Sequence, residues 1–136
     1  MRWCIEGAKV FSTCSKRQYM SIIIDEMGRI SGTGYNGSPP GMIHCSDGGC
    51  PRAYETDTPI NYDNCISIHA EENALLYSDP YRRHTMYVNG VPCYSCAKKI
   101  AGSGLKRLVY LDDKGRQNDG VLFLQLFMEV VKIDDV

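Results

Sequence analysis

The sequence predicts an α/β sandwich, a five-stranded mixed sheet with helices on both faces, and three observations carry that expectation. Helix-forming and strand-forming segments alternate through the second half of the chain, which calls for parallel strands joined by right-handed crossovers. Two β-rich segments flank a short turn near the start and add an antiparallel hairpin. The length of 136 residues suits one domain with a buried core, and neither linker nor repeat interrupts it, so residues 1–136 are read as a single domain.

Each element has its own signal. From Arg2 to Ser15, the spacing of Trp3, Ala8, Val10 and Phe11 predicts an amphipathic helix, with the lone Cys4 in its core face. "YMSIIIDEMGRISGTGY" reads as a hairpin turning at Glu26 to Arg29. "NGSPPGMIHCSDGGCPRAYETDTPINYDNC" has no regular period, and loops of such length are uncommon unless functional, disordered or externally tied. Its cysteines, with His44 beside Cys45, argue for tied. Next come a helix in "HAEENALLYS", a strand in "TMYVNG" and a helix in "CYSCAKKIAGSG" ending at Gly102 or Gly104. "LKRLVYLDD" is a strand, "NDGVLFLQLF" a helix opened by Asn118 or Asp119, and "EVVKID" the last strand.

Composition narrows the function classes. Fifteen basic residues against 16 acidic ones, a net charge of −1, leave no basic excess to advertise nucleic acid. Runs such as "SIII" and "VLFLQLF" are too short to span a bilayer, and "MRWCIEGAK" lacks the apolar core of a signal peptide. A cytoplasmic location is expected, with no membrane partner. In that reducing compartment the seven cysteines point to metal binding or catalysis rather than to persistent disulfides.

The stretch "VPCYSC" contains Cys93 and Cys96, a spacing compatible with a redox dithiol, a structural zinc site or a catalytic one. It lies just past a strand, where a helix begins, and "HAE" opens the preceding helix in an equivalent place. Crevices of α/β sheets form at such junctions, and helix N-termini favour thiolates. A redox dithiol would normally follow the first strand of a βαβ unit and has no use for His-x-Glu. A structural zinc would need a fourth protein ligand. His69, Cys93 and Cys96 supply one nitrogen and two sulfurs, leaving a tetrahedral zinc one position for water, the arrangement of catalytic sites. Glu71, two residues past His69, could take a proton from that water and return it to substrate. His-x-Glu followed by Pro-Cys-x-x-Cys is the signature of zinc deaminases acting on nucleobases.

Across nearly its whole length the chain resembles the deoxycytidylate (dCMP) deaminases of bacteria and phages, within the zinc-dependent cytidine deaminase superfamily. The resemblance runs through "TCSKRQ", "GYNGSPPGMIHC", "HAEENA", "PCYSCAKKIAGSG" and "RLVYLDD", and "GYNGSPPG" discriminates best among the superfamily's branches. It implies a cytidine deaminase-like α-β-α sandwich and hydrolysis of dCMP to dUMP and ammonia, feeding thymidylate synthesis. It implies catalytic Zn2+ on His69, Cys93 and Cys96, and a second, structural Zn2+ on Cys14, Cys45, Cys50 and Cys65, with His44 an alternative to Cys14 or Cys50. Asn36, Ala70, Asn73 and Ser38 are the implied substrate contacts, and Arg17 and Arg52 are further phosphate candidates. Relatives of this kind are commonly hexamers regulated by dCTP and dTTP, so a homo-oligomer and nucleotide effectors, with Mg2+ accompanying an effector, are implied too. One departure stands out. Relatives read Val-Gly-Ala-Val where this chain has Tyr19, Met20, Ser21 and Ile22, so either base preference changes, for instance toward a 5-substituted cytosine, or the added bulk is absorbed by repacking. An RNA- or DNA-editing deaminase and a non-catalytic zinc module remain as other classes; balanced charge speaks against the first, and indifference to Glu71→Ala would identify the second.

Overall fold

The computed structural model describes residues 1–50, 65–112, 118–134 and 136. Among them the order is α1 (Arg2–Phe11), β1 (Met20–Ile24), β2 (Ile30–Tyr35), α2 (Ala70–Leu76), β3 (Thr85–Val88), α3 (Tyr94–Ala101), β4 (Arg107–Leu111), α4 (Asp119–Leu124) and β5 (Glu129–Ile133). This is the expected order, and the strands form one mixed sheet, β2-β1-β3-β4-β5. β1 runs antiparallel to β2 and β3, whereas β3, β4 and β5 are parallel. Among the described residues, the long loop contributes a 3-10 turn at Cys45–Asp47 and a bridge between Gly37 and Ile68, which ties its two ends together.

Strand alternation sorts side chains to opposite faces. Ile23, Met86, Val88, Leu108 and Tyr110 face one way and pack with Ala74 of α2, Ala97 and Ile100 of α3, and Val121 and Leu124 of α4. Met20 and Ile22 face the other way, against Cys4 and Ala8 of α1. Among the described residues, helices therefore cover both faces, with α2, α3 and α4 on one and α1 on the other. Cys4 is fully buried, as its place on the helix predicts, and burial pushes its thiol pKa up to about 11.

The hairpin turn is built on Asp25, whose Oδ1 accepts from the Met27 and Arg29 backbone N–H groups at 2.9 Å each. Gly28 takes the left-handed conformation there, φ 78°. α1 is shorter than the periodicity suggests. It stops at Phe11 because Ser12 turns extended and its hydroxyl donates to Asn36, to the carbonyl at 2.9 Å and to the side-chain oxygen at 2.5 Å. That tie pulls the chain off the helix axis, and residues 13–19 run on as a loop beside the long one.

The sheet also explains the departure at Met20. Its side chain lies under α1, on the face opposite α2, where a Cβ added to Gly7 would come within 2.2 Å of Met20 Sδ. The glycine makes room for the methionine, so the added bulk is absorbed by repacking. Ser21 is fully buried on the other face and donates to the Tyr87 carbonyl at 3.1 Å. Gly7→Ala is expected to cost ~1–3 kcal/mol in overpacking against about 1 kcal/mol gained in helix propensity, a net loss of about 1 kcal/mol by urea denaturation. In a Met20→Ala background the same change should be neutral or stabilising; an undiminished loss there would remove Met20 as the cause.

Candidate metal centre and active site

Two helix beginnings meet to make the site. His69 is the N-cap of α2 and Cys93 the N-cap of α3, so both side chains project from the first turn of a helix toward one point. The close seating of α2 on the hairpin requires Gly34 of β2, where a Cβ would lie 2.2 Å from the Ala74 nitrogen and 2.3 Å from the Ala70 oxygen. Cys93 Sγ accepts from the Cys96 backbone N–H at 3.5 Å, which folds the C-x-x-C into the helix start.

His69 Nδ1 lies 3.6 Å from Cys93 Sγ and 3.3 Å from Cys96 Sγ, and the three ligand atoms are within 4.8 Å of one another. Donors held 2.0–2.3 Å from one zinc at tetrahedral angles are about 3.5 Å apart, so the spacing and the nitrogen-sulfur donor set fit zinc. Burial is graded from exposed His69 through half-buried Cys93 to buried Cys96, which leaves one side of the cluster open to an incoming molecule. Among the described residues it is the one group of three or more such side chains close enough to share an ion.

The electrostatics show how tightly the donors interact. A hydrogen bond from the Cys96 thiol, helped by His69, lowers the Cys93 pKa to about 4, while the same bond and burial push Cys96 well up. His69 is raised in turn, chiefly by its bond to Cys93, with burial and, to a smaller extent, the Lys99 charge opposing. Glu71 is buried beside this cluster and interacts with the Cys96 thiol; burial raises its carboxyl pKa above the ordinary range. A buried carboxyl with a raised pKa, set against the ligand cluster, suits proton exchange.

Other residues singled out in the sequence fall into place unevenly. Ala70 is buried as the first residue of α2, where helix N–H groups have no intrahelical acceptor. Asn73 donates its side-chain amide to the Tyr35 carbonyl at 2.8 Å, joining α2 to the end of β2. Asn36 is buried, and its carboxamide accepts from the Tyr19 N–H and the Ser12 hydroxyl and donates to the Arg17 carbonyl at 2.8 Å. Those bonds fold the 13–19 loop onto the end of β2. Ser38 Oγ lies 3.3 Å from Cys45 Sγ, and Arg17 is exposed. Arg52 lies outside the described residues.

Cys45 and Cys50 are buried and interact through their thiols, and Cys14 is near enough to act on Cys45 electrostatically. Burial chiefly raises the Cys45 pKa, and both neighbouring thiols add to the rise. His44 is exposed, its ring 3.9 Å from Asp47. Cys65 is half-buried just before the Gly37–Ile68 bridge. Sequence reasoning passed over Glu72, whose Oε2 accepts from the His69 backbone N–H at 3.3 Å. The signal was there: a Glu three residues past an N-cap is half of a capping box, masked because the cap is histidine.

The Cytidine and deoxycytidylate deaminase zinc-binding region matches residues 1–112. The chain belongs to this deaminase family. It is 40% identical over 102 residues to a deoxycytidylate deaminase of Saccharomyces cerevisiae, a match covering 73% of this chain and 32% of the yeast protein. It is 39% identical over 107 residues to the deoxycytidylate deaminase of Mycobacterium phage D29, covering 73% of this chain and 81% of the phage protein. The chain thus spans about a third of the yeast relative's length and most of the phage relative's. Its fold matches the crystal structure of dCMP deaminase from cyanophage S-TIM5 in complex with dCMP and dUMP, with a TM-score of 0.71, 29% identity, and coverage of 95% of this chain and 93% of that one. The fold expected from the resemblance is the one observed, and zinc is the metal of the family.

Proposed function

We propose that this protein deaminates dCMP to dUMP and ammonia and thereby supplies dUMP for thymidylate synthesis. The observation that carries the reading is the convergence of His69, Cys93 and Cys96 on one point with the Glu71 carboxyl buried beside them, in a fold matched to a phage dCMP deaminase. Zinc, when bound by those three side chains, supplies the Lewis acidity that activates water at neutral pH. Glu71 takes a proton from the attacking water and passes it to the ring nitrogen. The new C–O bond forms as the ring C=N bond opens; Glu71 then takes the remaining proton from the added hydroxyl and gives it to the exocyclic amine, whose C–N bond breaks as the C=O bond closes, releasing ammonia. The backbone N–H of Ala70, which has no intrahelical acceptor at the start of α2, holds the pyrimidine carbonyl. Asn36 hydrogen-bonds the nucleotide, Ser38 is a candidate contact for its phosphate, and Asn73 fixes the pocket by positioning α2 on β2.

We assign Cys14, Cys45, Cys50 and Cys65, with His44 the alternative donor to Cys14 or Cys50, to a second, structural zinc, a site that requires the other donors to close on the Cys45–Cys50 pair because they do not lie within shared-ion distance of one another. The thiol contact between Cys45 and Cys50 supports that reading. A cytoplasmic homo-oligomer, hexameric and regulated by dCTP and dTTP with Mg2+ as the resemblance implies, completes it. The test is ammonia release by the zinc-loaded protein on dCMP, CMP, deoxycytidine, dCTP and 5-methyl-dCMP, with and without dCTP as effector. Turnover highest on dCMP is the expected result; turnover confined to a 5-substituted nucleotide would move the assignment, and none on any nucleotide would end it.

A further inference from the structure

The three zinc ligands come from two separate helices, so the site requires something to hold α2 and α3 at a fixed separation. Glu72 sits on α2, three residues past His69, and Lys99 on α3, three residues past Cys96, each one turn into its helix from a ligand. The Glu72 carboxylate uses both oxygens. Oε2 accepts from the backbone N–H of His69 at 3.3 Å, and Oε1 pairs with Lys99 Nζ. One side chain therefore joins the main chain of the first ligand to the helix that carries the other two. Glu72 is 24% and Lys99 48% exposed at the side chain, so the pair lies at the rim of the site, partly shielded.

We infer that Glu72 and Lys99 form a clamp that sets the bite of the zinc site: they are positioning residues that act through His69, with no contact to substrate. A pair this exposed contributes little to global stability, because solvent screens it and ordering two long side chains costs entropy. Its effect is local. Losing it frees the His69 main chain to rotate and lets α3 drift relative to α2, and partners that orient metal ligands are typically worth 10–100-fold in metal affinity or activity. A shift in ligand spacing disturbs the metal and the transition state while leaving the ground-state binding of nucleotide nearly alone, so kcat should fall more than KM rises. The inference rests on the catalytic zinc reading, and its primary readout needs no turnover.

The experiment measures zinc release to a colorimetric chelator from the zinc-loaded protein, the variants Glu72→Gln and Lys99→Met, their double mutant, and the exchanged pair Glu72→Lys with Lys99→Glu. The side-chain amide introduced by Glu72→Gln can still accept the His69 N–H, so that variant isolates the ion pair. Each single variant should release zinc about 10-fold faster with its melting temperature little changed, and the double mutant should be no worse than either single. Raised salt should speed release from the parent protein and not from Lys99→Met. The exchanged pair restores the cross-helix attraction but gives up the contact to His69, so only partial rescue is expected. Wild-type release rates in both single variants, or losses that multiply in the double mutant, would overturn the clamp. If the parent holds zinc and the variants lose it faster while no nucleotide is turned over, the clamp stands and the substrate assignment falls.

Discussion

Glu71→Gln is expected to lower kcat on dCMP by ~10²–10⁴-fold, the usual contribution of a positioned general acid-base group, while zinc content and fold stay intact. The magnitude follows from where the carboxyl sits. Glu71 is buried, interacts with the Cys96 thiol and is raised in pKa by burial, so it is placed to exchange protons at the site rather than merely to offset charge. Gln keeps the shape and can still donate and accept hydrogen bonds, but it cannot shuttle a proton. Ammonia release, zinc content by atomic absorption, and far-UV circular dichroism on the same sample separate the possibilities. A variant with full zinc and a native spectrum that retains activity within 10-fold would mean that another group moves the protons. A variant that loses zinc would make Glu71 a structural partner of Cys96, and the rate loss would then say nothing about proton transfer.

The legible parts of this protein are the local ones. His69, Glu71, Cys93 and Cys96 could be placed together because each pair is close in sequence and each begins a helix, so elementary helix geometry points the side chains at one another. The order of elements followed from periods of two and of 3.6, and of the two glycines offered for the close of α3, Gly102 and Gly104, it is Gly102 that caps it. What stayed hidden depends on long-range contact. No pattern near Phe11 says that α1 stops there; the cause is Ser12 bonding to Asn36, 24 residues away. Whether the bulk of Met20 meets substrate or packing is left open by its local sequence, and only the strand's orientation against Gly7 of α1 places it in packing. Asn36, a nucleotide contact by resemblance, also ties the 13–19 loop through three internal partners, a role that no local motif announces. Glu72 and Lys99 are ordinary surface residues in sequence and become a cross-helix pair only when α2 and α3 are brought side by side.

The second large effect is expected at the long loop. Cys45 and Cys50 are buried, yet the described residues of the loop around them join neither hydrophobic cluster, so something other than that apolar burial has to hold this part of it. Two explanations compete. The thiols could be held by packing alone, as Cys4 is, or they could be ligands of a closed zinc site that supplies folding free energy directly. The contrast between Cys50→Ser and Cys4→Ser separates them. If Cys50 is a ligand, the parent chain binds two zinc ions, Cys50→Ser binds one, and the loss of several kcal/mol of metal-linked stability lowers the melting temperature by ~10 °C or more. Cys4→Ser, which puts a hydroxyl into the α1 core, should lower the melting temperature through desolvation while leaving two zinc ions bound. Near its own lower temperature range, Cys50→Ser should still deaminate dCMP within several-fold of the parent, because the catalytic ligands are untouched. One zinc per chain in the parent, with both serine variants equally destabilised, would make the loop cysteines core residues. The loop's stability would then have to come from the hydrogen bonds at Gly37 and Ile68, and from those of Ser46 and Gly49, to Thr13 and His44.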